Sequence, residues 1–164
     1  MTQIQIANKD SEIIAAVVAK LAAATVVVDE EPVSVFGQVA QADSMEQMKA
    51  KEFTESPVAG VVYEKHEEWN IADRAIGVVV HLAIILASRA TTPTDRDSGI
   101  TRLINAAKNI LATPPAGVRA FVSGESELHR PLEWGEPTRS DKDPWAMTML
   151  PLRLAYTIAG STSH

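Results

Sequence analysis

The sequence predicts an α+β fold, a mainly antiparallel central sheet with two principal helices packed on it and projecting loops. Three observations carry this expectation. Arg74 to Ser88 reads RAIGVVVHLAIILAS, a run of Val, Ile, Leu and Ala that calls for a buried, extended backbone. Two other stretches, Ser11 to Ala24 and Asp97 to Leu111, carry apolar residues at helical spacing. A further β-branched run, Val58 to Tyr63, precedes Arg74 with no helix between them, which makes the two strands antiparallel neighbours.

Ser11 to Ala24 aligns Ile13, Ile14, Val17, Val18 and Leu21 on one stripe, with Asp10 or Ser11 as N-cap and an alanine-rich remainder suited to close packing. Thr25 to Val28 and Val33 to Val39 form two extended pieces joined by the acidic loop Asp29, Glu30, Glu31 and Pro32. Ser44 and Gln47 form a capping box for a short helix carrying Met45, Met48 and Phe53; residues 41–53 are either a cover for a sheet edge or a projecting, partner-binding arm. Glu64 to Ala72, with His66, Glu67, Glu68 and Trp69, reads as a projecting charged loop.

Beyond the central strand, Thr91 to Gly99 is a polar connector, and Asp97 or Ser98 opens the second helix, which ends before Pro114 and Pro115. Val118 to Gly124 is another strand, and Glu125 to Asp143 is irregular. Pro144 to Ile158 is the closing strand, in which Pro151 demands an edge or a bulge; residues 160–164 form a frayed tail.

The chain has 164 residues, 46% of them hydrophobic, which suits one domain over 1–164. A formal net charge of −6, with its basic residues scattered, lacks the footprint of a nucleic-acid reader. No cysteine is present, which removes thiolate chemistry and fits assembly in a reducing cytoplasm. The opening MTQIQIANKDSE has no secretory pattern, and the apolar run at Arg74 is short of the roughly 20 residues a spanning helix takes.

Catalytic motifs are sparse. His66, Glu67 and Glu68 would begin a zincin motif, but position 70 is Asn70 where a second histidine is needed. Asp95, Asp97 and Gly99 lack the spacing of a calcium loop, and Ser123 to Ser126 form no nucleophile elbow. His81 suits a hydrogen-bonded core or interface position, His129 is a conceivable base for a serine, and Trp69, Trp134 and Trp145 serve as covers over the sheet or as anchors between subunits. No catalytic, cofactor or metal residue is expected.

The layout resembles the tail terminator proteins (tail completion, minor tail protein U-like) of long-tailed bacteriophages. It is carried by Asp73-Arg74 leading into an apolar strand, Asp95 and Asp97 before a helix, and the hydrophobic strand Trp145 to Tyr156 ending in Arg153-Leu154-Ala155-Tyr156. The resemblance implies a non-enzymatic virion subunit, assembled in the host cytoplasm as a hexameric ring. Its partners would be the tail tube protein and the head-tail connector protein, with genomic DNA crossing the lumen unbound and no membrane involved. Asp29, Glu30, Glu31, Met45, Met48, Phe53, Glu67, Glu68, Trp69 and Trp134 become candidate contacts with subunits or the tube. The alternatives are a head-closure or connector-adaptor protein of the same neck, and a small α/β enzyme or ligand-binding module using His66, His81 or His129.

Overall fold

Three strands of 15 residues each dominate the computed structural model, which describes residues 2–72, 75–112, 127–128 and 132–159. In chain order the elements are α1 (Thr2–Ala23), β1 (Thr25–Val28), β2 (Glu31–Ser34), β3 (Gln38–Ala42), α2 (Met45–Ala50), β4 (Val58–Ala72) and β5 (Ala75–Arg89). They continue with α3 (Pro93–Ala112), β6 (Glu127–Leu128), β7 (Glu133–Trp134), β8 (Thr138–Arg139) and β9 (Trp145–Ala159). The main sheet runs β3-β4-β5-β9, with β6, β7 and β8 as short pieces along the outer side of β9; among the described residues only the β3–β4 pair is parallel. The fold is α+β.

β5 lies at the centre because both of its sides are paired and both of its faces are apolar. Val78, Val80, Leu82, Ile84 and Leu86 point toward α1 and α3, where they meet Ile13, Val17, Leu21, Leu103, Ala107 and Leu111. Ala83 and Ile85 point to the opposite face and pack with Met48, Val62 and Ala42. One face is thus covered by two long helices. The other is covered at one end, by α2 and the chain around it.

Several boundaries differ from expectation, each for a local reason. α1 extends back to Thr2, so Asp10 lies inside the helix, and its carboxylate is held by tyrosines instead of capping amides. α3 starts at Pro93, with Thr92 Oγ1 accepting from Asp95 N at 3.2 Å: a threonine cap followed by proline at the first helical position, which absorbs the connector expected at 91–99. The extended piece expected from Val33 to Val39 divides into β2 and β3, with Phe36 buried between them.

The charged stretch Glu64 to Ala72 is the second half of β4, not a projecting loop. Its polar residues pair directly with β5, Glu67 opposite Val79 and Trp69 opposite Gly77; Lys65, Glu67 and Trp69 face an end of the sheet that no helix among the described residues covers, whereas His66 and Glu68 face α1. Trp69 fits there because Gly77 has no side chain: a methyl on Gly77 would come within 2.3 Å of the indole ring. Pro151 behaves as its chemistry requires. It falls between the segments of β9 paired to β7 and β8, where its carbonyl accepts from Gly135 N at 2.9 Å, so its missing N–H coincides with a break in the ladder. The strand expected at 118–124, His129 and the tail at 160–164 lie outside the described residues.

Candidate functional site

A buried polar cluster is built on Asp10, at 4% exposure in the α1 interface with the sheet. Tyr156 Oη donates to Asp10 Oδ1 at 2.8 Å and Tyr63 Oη donates to Oδ2 at 3.1 Å. His66 Nδ1 lies 3.0 Å from Asp10 Oδ2 and 2.9 Å from Tyr63 Oη, and its Nε2 lies 3.2 Å from Glu68 Oε2. A cleft of about 230 Å³ opens beside the group, bordered by Ser11, Ile14 and Asp43.

A β-bulge makes the cluster possible. Tyr63 pairs with Leu82 and Lys65 with His81, leaving Glu64 as the extra residue; alternation therefore shifts by one, and Tyr63 and His66 both face α1. Without the bulge, His66 would point to the other face and Asp10 would lose a partner. Tyr156 reaches the same point from β9, opposite Val78.

The electrostatics favour a clamp over a reactive centre. Burial, then the charge and hydrogen bond of Asp10, push the Tyr63 hydroxyl up to about 12. The Tyr156 hydroxyl is pushed up further by burial and by the same carboxylate. Both phenols are therefore donors at neutral pH and neither supplies a base or a phenolate nucleophile. The arrangement neutralises a buried carboxylate with oriented donors and ties α1 to β4 and β9. Among the described residues, no group of three or more His, Asp or Glu side chains is placed to hold a metal ion.

The residues singled out as contacts fall in different settings. Asp29 and Glu30 form the tip of the β1–β2 hairpin at φ 50° and 68°, the left-handed pair of a two-residue turn, and Glu31 begins β2; all three are exposed. Met48, at 2% exposure, fills the second apolar cluster over Gly60, with half-buried Met45 and Phe53 against the same cluster. The stretch 41–53 is thus a sheet edge and its cover, not a free arm. Its capping box forms, with Ser44 Oγ accepting from Gln47 N and Gln47 Oε1 accepting from Asp43 N.

Glu67 and Trp69 lie on the uncovered end of the sheet face, where Glu67 sits 3.6 Å from His81, whereas Glu68 turns to the α1 face and His66. Trp134 packs on the main core under the Lys108 ammonium, 5.9 Å from its ring centroid, a cover within the chain. Trp145 meets Phe53 edge to face at 5.9 Å.

Sequence reasoning missed Asp10, Tyr63 and Tyr156 as one cluster. The available signal was a single aspartate at the junction of an apolar helical stripe, which is equally the mark of a cap. No helix among the described residues is long and apolar enough to cross a membrane. Neither the known protein-family models nor the curated proteins give a match to this chain.

Proposed function

We propose that the chain is a structural subunit of a long-tailed bacteriophage neck, a tail terminator that forms a hexameric ring, caps the tail tube, stops its polymerisation and offers a surface to the head-tail connector. One observation carries the self-association at the heart of this reading. The β1–β2 hairpin forms its own two-stranded sheet, and its four valines are 46% to 72% exposed, Val26, Val28 and Val33 contiguous on one face and Val27 on the other beside Pro32. A lone two-stranded hairpin is marginal in water, and contiguous exposed apolar surface marks an interaction site. Such a hairpin is completed by burial against another subunit or against the tube.

The layout resemblance supplies the kind of assembly. The net charge of −6 is consistent with a lumen that DNA crosses without sticking, since like charge opposes phosphate binding. The Asp10 cluster then serves to hold α1 rigidly on the sheet immediately before the hairpin. The site of action is the virion neck, reached after assembly in the host cytoplasm, and the work is done by interfaces without a chemical step.

The test is direct. Light scattering and negative-stain imaging of purified protein should show rings that bind tail tubes and block their growth. Val27→Asp should leave a folded subunit, with stability changed by less than about 0.5 kcal/mol as for other exposed positions, and abolish ring formation. A wild-type protein that stays monomeric at every concentration and leaves tube growth unaffected would overturn the proposal.

A further inference from the structure

We propose that the acidic tip of the β1–β2 hairpin of one copy seats in a basic, aromatic-floored cleft of the next copy of the same chain. This names the two halves of the subunit contact and rests on the self-association proposed above.

The cleft, about 640 Å³, lies where the segment after α2 meets the end of β5 and the turn before β9. Lys49, Lys51, Arg89 and Lys142 surround it, and Phe53 and Trp145 form its floor. Arg89 lies over the Trp145 ring, 5.0 Å from its centroid, which leaves the guanidinium edge available to an anion. Of the two acids at the border, Asp143 is bonded to Arg96, so Glu52 alone opposes four cations. Among the described residues none of those four cations is in an ion pair. In a chain of net charge −6 this is a local reversal of sign over an apolar base.

The hairpin offers the complement. Asp29, Glu30 and Glu31 are consecutive, exposed, and without ion pairs among the described residues. Strands of four residues carry that tip about 13 Å from the hairpin base, and the valines beside it supply apolar surface for the aromatic floor. The hairpin leaves the end of α1, which covers one face of the sheet, whereas the cleft adjoins the cluster on the other face. Donor and acceptor are therefore different patches, and a contact between different patches runs head to tail and closes into a ring when the rotation allows. Opposite charges fix its register and speed encounter.

Charge exchange tests it. Glu30→Lys with Glu31→Lys reverses the tip, and Lys49→Glu with Lys51→Glu reverses the cleft. All four positions are exposed, and circular dichroism of each variant confirms the fold. Each reversed protein alone should need at least about tenfold higher concentration to assemble at low salt, as expected for like charges brought together. Mixing the two should restore assembly, because every tip then finds a cleft of opposite sign on the other variant. Reversed proteins that assemble like wild type would overturn this contact while leaving the ring reading intact, whereas a wild type that never assembles would overturn both. If wild type binds a fluorescein-labelled single-stranded oligonucleotide, and Lys49→Glu with Lys51→Glu abolishes that binding without altering assembly, the cleft belongs to nucleic acid and the contact is refuted.

Discussion

Asp10→Ala removes the acceptor on which two tyrosines converge, and the cost follows from what each tyrosine can do next. Tyr156 is fully buried, so its hydroxyl, now 2.8 Å from a carboxylate, would lose that acceptor at a buried position. Removing the acceptor of a buried donor costs about 1–3 kcal/mol. Tyr63 is half-exposed and keeps His66 Nδ1 at 2.9 Å, so its loss adds only about 0.5 kcal/mol on the same scale. The cavity left by the carboxyl group adds a little more, and removal of a buried charge offsets part of it. The sum is about 1.5–3.5 kcal/mol, a fall in Tm of roughly 3–14 °C for a chain of this size. Urea midpoints at one fixed protein concentration measure it, with the slope unchanged if only stability has moved. Tyr156→Phe should cost about 1 kcal/mol, because Asp10 keeps Tyr63 and His66. The double variant should be no less stable than Asp10→Ala alone, since the hydroxyl that lost its acceptor is gone, giving a coupling of about 1–2 kcal/mol. A loss below about 1 kcal/mol for Asp10→Ala, or strict additivity in the cycle, would refute the clamp.

Tyr63 makes stability depend on alkaline pH. Its folded hydroxyl, pushed up to about 12 from the ordinary 10.0, keeps its proton while the unfolded one ionises, so the folded state binds more protons and stability falls as pH rises across that window. Tyr63→Phe should flatten part of that fall in a series of denaturant midpoints, the remainder belonging to Tyr156. Gly77→Ala should displace Trp69, shift tryptophan emission to the red and cost about 1–3 kcal/mol. Gly60→Ala, whose methyl would come within 2.8 Å of the flexible end of Met48, should cost less, and equal losses would count against this reading of the two glycines. Ser44→Ala deletes the oxygen that accepts from Gln47 N at 3.2 Å and should lower the midpoint by about 0.5–1 kcal/mol, read by thermal melting.

The central strand is legible because one face of β5 is covered by helices and the other packs on the second cluster at one end, which makes Ile76 to Ala87 almost unbroken apolar sequence. The helices were legible by spacing, since Ile13, Val17 and Leu21 or Ile100, Leu103, Ala107 and Leu111 reach the core at helical intervals. The second half of β4 was not, for the opposite reason. Lys65, Glu67 and Trp69 face the uncovered end of the sheet, and His66 and Glu68 face a polar pocket, so neither alternation nor burial marks the strand. Its extended state is set by β5 across the ladder, a partner distant from any local window. The start of α3 differs from the expected Asp97 or Ser98 because those residues are as good caps by type as Thr92; Pro93 decides between them once the chain direction out of β5 is fixed.

The contact surfaces show the same limit more sharply. Thr25 to Val28 has the composition of a core strand, and nothing within those residues says that its valines stay in solvent; that follows from β1 pairing with β2 alone, outside the main sheet. Met48 was the converse, an apolar residue on a thin stripe that looked available and is consumed by Gly60, which leaves room for it. Burial of a side chain depends on which second layer arrives, and among the described residues no such layer covers the four valines of the hairpin. The acids of its tip point the same way. Glu30 at φ 68° occupies a conformation that glycine or asparagine takes at lower cost, so a charge is kept there against the backbone's preference. A turn whose only task was to join two strands would gain stability from glycine at that position. Glu30→Gly therefore separates the two roles: it should stabilise the isolated subunit while weakening its assembly, and a variant improved in both would assign the acid no part in the contact.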